Sequence, residues 1–462
     1  MARIGAMTRR VLFLLGWMLC AAGGTVWAQE GAGWKAAAAS VKITPKEPMW
    51  MAGYASRTTP SDGVAQDLYA KALVLEDGQG GRFVTLTMDL IGIPSSLRST
   101  VVEALRKQHQ LSPERVFMNC SHTHCGPEFR VGRSLYLEVM DHGDERGAQY
   151  GAWLAEELVR LTGDAIGRLA PAKLSATHAR CGFAMNRRQP TRLGFKNSPY
   201  PDGPVDHSVP VLEVRGAEGE KLMAVMFGYA CHNTTLSFQQ FCGDYAGYAQ
   251  EYLEAAHPGA VALFVMGCGG DQNPYPRGKL ELAQQHGRTL ANAVETALTV
   301  TQKQPVGGTV KAALGTVALP FAPPPSKADL EKMAGSTNRW EAAHATMQLK
   351  KLEAEGKLAS SYDYPVQVVK LGADFTLVAL AGEVVVDYAL RLKKEMPKQA
   401  TVWVAGYSND VMGYIPSRRV LEEGGYEAGG AMLYTAHPGP WKPEVEELIM
   451  GKVHELHRQL AE

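Results

Sequence analysis

Residues 119–128 read "NCSHTHCGPE", a stretch that brings Cys120, His122, His124 and Cys125 together in one short segment. Neutral imidazole is the commonest metal ligand among side chains. Two histidines two apart share one face of a strand, or converge on one point from a loop. Three chemistries fit the stretch: a closed Cys/His zinc knot, part of a disulfide framework, or one ligand of a catalytic metal. Structural zinc sites usually pair two separated knuckles, and the sequence holds no second one. A catalytic metal instead takes two or three protein nitrogens or oxygens and keeps an open position, so His122 needs partners from elsewhere in the chain.

Partners are sought where α/β proteins place their chemistry, on the loops that follow buried strands. After the apolar run "KLMAVMFGYA" comes "CHNTTLSFQQFCGDYAGYA", which carries His232. "AVALFVMG" is followed by "CGGDQNPYPRG", with Asp271 and Asn273 behind two glycines that permit close backbone approach. Glu383 follows "FTLVALAG", and its carboxylate also suits a helix N-terminus. "TVWVAG" leads into "YSNDVMGYIPSRRV". His122, His232 and Glu383 together satisfy the ligand count of an open zinc site. The competing reading of each is local: histidines satisfied by hydrogen bonds, a helix-terminal carboxylate, and a Gly-Asp-Asn-Pro turn.

The elements that must position these loops are legible in outline. Strand-like runs cover 69–76, 82–90, 115–118, 221–230, 260–267, 375–382 and 401–406, and several are continuously apolar, as strands covered on both faces are. Helical periodicity covers 96–109, 145–167, 245–256, 278–299, 326–355, 384–395 and 443–460. The alternation predicts an α/β fold of layered mixed sheets flanked by helices, with the metal site on loops at strand ends. The proline-rich joint 319–332 introduces a charged helix and reads as an excursion within one domain.

The chain has 462 residues, with 47 basic against 47 acidic side chains and 45% hydrophobic content, enough for a large core. That balance, with no basic patch, argues against nucleic acid as a partner. The first residues, "MARIGAMTRRVLFLLGWMLCAAGGTVWAQE", combine a basic start, a short apolar run and small residues before Gln29. They read as a signal peptide over 1–28, through the general or the twin-arginine route, leaving 29–462 as a single domain that is periplasmic or secreted. No later segment is long and apolar enough to span a membrane. Export permits disulfides among Cys120, Cys125, Cys181, Cys231, Cys242 and Cys268, and a short Cys231–Cys242 loop is the simplest pairing; small buried thiols are the alternative.

Taken together, "SHTHCGPE", "GYACHNTTL", "CGDYAGYAQEYLE", "CGGDQNPYP", "LAGEVVVDYALRLKKE" and "AGYSNDVMGYIPSRRVLEEGGYEAG" resemble, in order, motifs of the neutral, non-lysosomal ceramidase family. The early "VKITP" and "MAGY" are similar to that family's opening segment. The resemblance implies a zinc ion held by His122, His232, Glu383 and Tyr414, with His124 beside it. It also implies that Arg187 and Tyr426 contact the scissile group. Tyr414 comes from the resemblance alone.

Two departures stand out. Asn273 occupies the position of the family's proposed catalytic serine, and an amide orients groups by hydrogen bonds without offering a hydroxyl. The family's C-terminal immunoglobulin-like domain is not expected here. The expectation is a zinc-dependent hydrolase acting on the N-acyl bond of a ceramide-like lipid. A different amide, ester or carbohydrate substrate is the alternative, and a zinc-containing binding protein without turnover is the non-enzymatic reading.

Overall fold

A strand buried on both faces carries apolar residues at consecutive positions. In the computed structural model, "YAKALVLE" forms the strand Tyr69–Glu76, with Ala70, Ala72 and Val74 in one core and Leu73 and Leu75 in another. Structure is described for residues 33–131, 135, 139, 145–219, 221–300, 302–397 and 400–461, so the expected signal peptide lies outside them. The described residues form one compact unit.

The first sheet runs in the order Val261–Met266, Leu222–Tyr229, Ser208–Gly216, Ala170–Arg180, Trp34–Lys42, Tyr69–Glu76, Arg82–Met88, Val116–Cys120, with Gln304–Val306 beside Ala170–Arg180. The second joins Val310–Pro320, Ser361–Leu371, Phe375–Leu380 and Thr401–Ala405. The two sheets face each other across Phe83, Phe117, Met226, Leu263, Leu377 and Trp403. Helices Ser95–His109, Glu145–Ile166, Asp244–Ala256 and Leu280–Thr299 cover the outer face of the first sheet. Val386–Glu395 and Val445–Gln459 cover the second. The result is a four-layer arrangement of helices, sheet, sheet and helices, the layered mixed α/β fold expected from the sequence. No helix of the described residues is long and apolar enough to cross a membrane.

Most strand pairs are antiparallel, but within the two large sheets three are parallel: 82–88 with 116–120, 222–229 with 261–266, and 375–380 with 401–405. Each is a βαβ unit, its helix being Ser95–His109, Asp244–Ala256 or Val386–Glu395. The carboxyl ends of these pairs lead into the polar loops singled out in the sequence. The first sheet also curls until its outermost strands meet. Buried Asn119 accepts from the Met266 amide (2.8 Å) and donates to the Met266 carbonyl (3.4 Å) and to the Gly406 carbonyl (2.8 Å). One side chain thus joins both edges of the first sheet to the loop leaving the second.

The observed elements differ from expectation in two ways. The helix expected over 326–355 is broken into Lys327–Ala334 and Arg339–Glu355. Gly335 ends the first piece, and the Asn338 side chain caps the second by accepting from the Trp340 amide at 3.0 Å. The strands Trp34–Lys42, Ala170–Arg180, Ala184–Thr191, Gly194–Tyr200, Ser208–Gly216, Val310–Pro320 and Ser361–Leu371 were not legible as apolar runs. Several are partly exposed and mix alanine, lysine, threonine and proline along their length.

Candidate metal centre

The chain leaves Cys120 and turns sharply at His122, whose φ of 59° is in the left-handed region, uncommon for any residue but glycine. The turn is fixed by the His122 amide donating to the Leu90 carbonyl at 3.0 Å. Its ring Nδ1 lies 2.6 Å from the Ile91 carbonyl. A carbonyl can only accept, so Nδ1 carries a proton and Nε2 is the ring nitrogen turned toward Glu383. His232 is built the same way from the second βαβ unit, with Nδ1 2.7 Å from the Gly269 carbonyl. Burial first, then the Arg187 charge, pull the His232 imidazole down to about 3, so it stays neutral at ordinary pH.

Glu383 arrives from the third unit. It pairs with Tyr414 in a two-residue parallel bridge, and its amide donates to the Gly413 carbonyl at 2.8 Å. The turn "CGG" makes this convergence sterically possible. A Cβ on Gly270 would sit 2.6 Å from the Glu383 carbonyl oxygen, and one on Gly269 2.8 Å from the Cys231 amide nitrogen.

Glu383 Oε2 lies 3.2 Å from Nε2 of both His122 and His232, yet it is buried and makes no hydrogen bond. Tyr414 hydroxyl is 3.1 Å from His232 Nε2, and its ring stacks on that imidazole at 9°. Two imidazole nitrogens and a carboxylate oxygen therefore face one another out of water, the donor types that a cation such as zinc accepts. His122, His124 and His232 also place ligand atoms within 4.8 Å of one another.

His124 completes the group, with Nε2 3.1 Å from His122 Nε2. Its Nδ1 is buried without a partner against Gly53, where a Cβ would come within 2.4 Å. The Tyr54 ring packs on its side at 4.9 Å. Burial, then the neighbouring imidazoles, hold the His124 side chain well below the ordinary histidine value.

Arg187 lies behind Tyr414. It donates to the Tyr414 hydroxyl (2.9 Å), to Glu427 (2.8 Å) and to Asn273 Oδ1 (3.1 Å), and is only 3% exposed. Asn273 is 1% exposed, and its Oδ1 also receives Thr234 at 3.4 Å. Neither lines the cavity in front of the histidines. Tyr426 does, packed edge-on to Tyr414 at 5.4 Å, with 40% of its surface exposed.

That cavity is about 80 Å³, walled by His122, His124, Glu383, Tyr414, Arg130 and Tyr434 among others. A larger groove of about 730 Å³ runs between Ser95–His109 and Glu145–Ile166, with no histidine in its walls. Arg130 and Tyr434 were not singled out in the sequence; nor was Tyr407, buried with its ring 4.5 Å from that of His122. Tyr407 directly follows a parallel strand, the signal that exposed Glu383.

The cysteines stay outside the centre. All six in the described residues are free and buried, so neither a Cys231–Cys242 bridge nor a zinc knot forms. Cys242 Sγ accepts from the Asp244 amide at 3.3 Å, whereas Cys231 Sγ is directed at the His232 carbonyl. Burial pushes the Cys120 thiol up to about 12, far from a thiolate ligand.

The fold and site define a layered α/β protein with a buried cluster of histidine nitrogens and a carboxylate oxygen at the carboxyl ends of parallel strands, three of the histidines placed where they could hold a metal ion. The chain belongs to the neutral/alkaline non-lysosomal ceramidase family, whose N-terminal region matches residues 40–305. It is 26% identical to the neutral ceramidase of Pseudomonas aeruginosa over 236 residues, 48% of this chain and 34% of that protein. The match thus spans about a third of that relative's length. The crystal structure of neutral ceramidase from Pseudomonas aeruginosa superposes with a TM-score of 0.71 at 18% identity, covering 92% of this chain and 74% of that one. A ceramidase complexed with C2 superposes at 0.70, again 18% identical, covering 92% and 76%.

Proposed function

We propose that this protein is an exported zinc-dependent hydrolase that cleaves the N-acyl amide of a ceramide-like lipid. The observation that carries the reading is Glu383 Oε2, buried, without a hydrogen bond, and 3.2 Å from an imidazole nitrogen of both His122 and His232. His122, His232, Glu383 and Tyr414 would hold the ion. Zinc supplies Lewis acidity and an activated water near neutral pH.

The chain's own groups divide the remaining work. His124, facing the cavity beside His122, carries a proton to the leaving amine. Tyr426, on the cavity wall, offers its hydroxyl to the oxyanion as it forms. Arg187 acts through Tyr414, whose hydroxyl it holds by a charge-assisted hydrogen bond. Asn273 in turn orients Arg187, a task an amide oxygen performs without any hydroxyl chemistry. Residues 1–28 direct export, and 29–462 form a single catalytic domain.

A second reading keeps the metal centre and changes the substrate to another amide, an ester or a carbohydrate derivative. It is favoured by Asn273, which is fully engaged at the position where the family resemblance puts a serine.

The test is metal analysis of the purified protein, followed by a panel containing a ceramide, simple amides, esters and glycosides, with His122→Ala as the blank. Stoichiometric zinc with ceramide turnover supports the first reading, and turnover of another class alone supports the second. A protein that binds no metal and hydrolyses nothing ends both.

A further inference from the structure

The charged excursion after the proline-rich joint is mostly exposed, yet its second helix buries one stripe: Trp340, His344 and Gln348, at i, i+4 and i+8. That stripe lies on the segment 430–437. The Trp340 ring meets Tyr434 edge-on at 5.4 Å. His344 Nε2 is 2.7 Å from the His437 carbonyl, and Lys351 donates to the Ala436 carbonyl at 2.6 Å. At the start of the same helix Arg339 donates to the Ala55 carbonyl at 2.9 Å, just beyond the Gly53 and Tyr54 that pack on His124. The excursion thus grips two segments that border the metal cavity.

The segment it holds contributes Ala431, Tyr434 and Thr435 to the cavity wall. From the ligand Tyr414 an aromatic row runs outward: Tyr426 at 5.4 Å, Tyr434 a further 6.4 Å, and Trp340 a further 5.4 Å. Met412 and Ala431 also lie in that wall, whereas the cavity's guanidinium, Arg130, comes from the loop that carries His124.

We propose that the helical hairpin Lys327–Glu355 is the buttress of this aromatic wall, and that Trp340 is a positioning residue. It holds Tyr434 so that Tyr434 and Tyr426 receive the apolar chain of an acyl substrate whose scissile group sits at the metal centre. This rests on the metal-hydrolase reading above. Burying several methylenes on such a wall strengthens binding by roughly tenfold or more.

The test is calorimetric titration of zinc-loaded protein with acetohydroxamate and octanoylhydroxamate, which share a metal-binding head and differ in chain length. The wild type should bind the octanoyl compound at least about tenfold more tightly. Trp340→Ala should lose most of that increment while keeping its acetohydroxamate affinity, and Trp340→Phe should restore it. Tyr434→Leu, which leaves the hairpin's own sequence intact, should also lose the increment. An increment that persists in Trp340→Ala and Tyr434→Leu, or equal weakening of both ligands, overturns the proposal. Failure of the wild type to bind acetohydroxamate at all marks the failure of the metal reading and removes the wall's role with it.

Discussion

Arg187 donates to the hydroxyl of Tyr414 at 2.9 Å from a position almost wholly closed to water. Burial, the largest cause, pushes the Tyr414 phenol up, the Glu383 charge adds to that rise, and the Arg187 guanidinium is the charge opposing it. The pair therefore favours an oxygen rich in electron density toward His232. Arg187→Lys keeps the charge but lacks the fork that reaches Tyr414, Glu427 and Asn273 together. Zinc affinity of this variant, measured by competition with a chelator, should fall about 10- to 100-fold. Unchanged affinity would show that Tyr414 needs no help from Arg187.

Glu383→Gln tests the carboxylate as a metal ligand. Glu383 Oε2 sits without a hydrogen bond 3.2 Å from both His122 and His232, and an amide keeps the side chain's shape while removing the charged oxygen a cation would take. Bound zinc should stabilise the wild type by about 2.7 kcal/mol at a hundredfold excess over its dissociation constant. Melting curves with and without chelator should therefore differ in the wild type and nearly coincide in Glu383→Gln. A variant with the full wild-type zinc shift would remove Glu383 from the ligand set.

Gly53→Ala probes His124 without touching it. The Gly53 φ is +99°, and an added Cβ would lie 2.4 Å from His124 Nδ1. The expected cost is on the order of 1 kcal/mol from the backbone, with kcat reduced further by the displaced imidazole. Zinc content should be unchanged, since neither His122 nor His232 moves. Normal kcat with a lowered melting temperature would leave His124 without a part in proton transfer.

Asp271 should give the fold a recognisable pH dependence. Burial pushes its carboxyl up to about 7, although it accepts from the Val386 amide at 2.9 Å. An unfolded aspartate titrates near about 3.9. Between those values the folded chain holds a proton that the unfolded chain has released. Stability therefore falls as pH rises from about 4 to about 7, and this contribution is flat outside that window. Asp271→Asn should flatten the slope in denaturation midpoints taken across the window. An unaltered slope would assign the proton to another group.

The three βαβ units were legible because their strands are mostly buried and largely apolar, several as continuous runs, and because a polar loop follows each. That logic reached His122, His232 and Glu383 without help. Tyr414 escaped it: it lies well beyond the end of Thr401–Ala405 and meets Glu383 only through a two-residue bridge. Arg187 sits on an antiparallel hairpin, Ala184–Thr191 with Gly194–Tyr200, whose mixed composition gives no periodic signal. The resemblance implies that it contacts the scissile group; in the fold its three hydrogen bonds go to Tyr414, Glu427 and Asn273. The break between Lys327–Ala334 and Arg339–Glu355 was written in Gly335 and Asn338 but masked by continuous helical composition on either side.

Asn119 has a consequence for the molecule's solubility. An open sheet ends in rows of unsatisfied amides and carbonyls that can recruit another chain. Here the two outermost strands of the large sheet are laced to each other, leaving less of that template open to a neighbour. Replacing Asn119 with leucine would cut the lace, and the damage would surface first as self-association on storage.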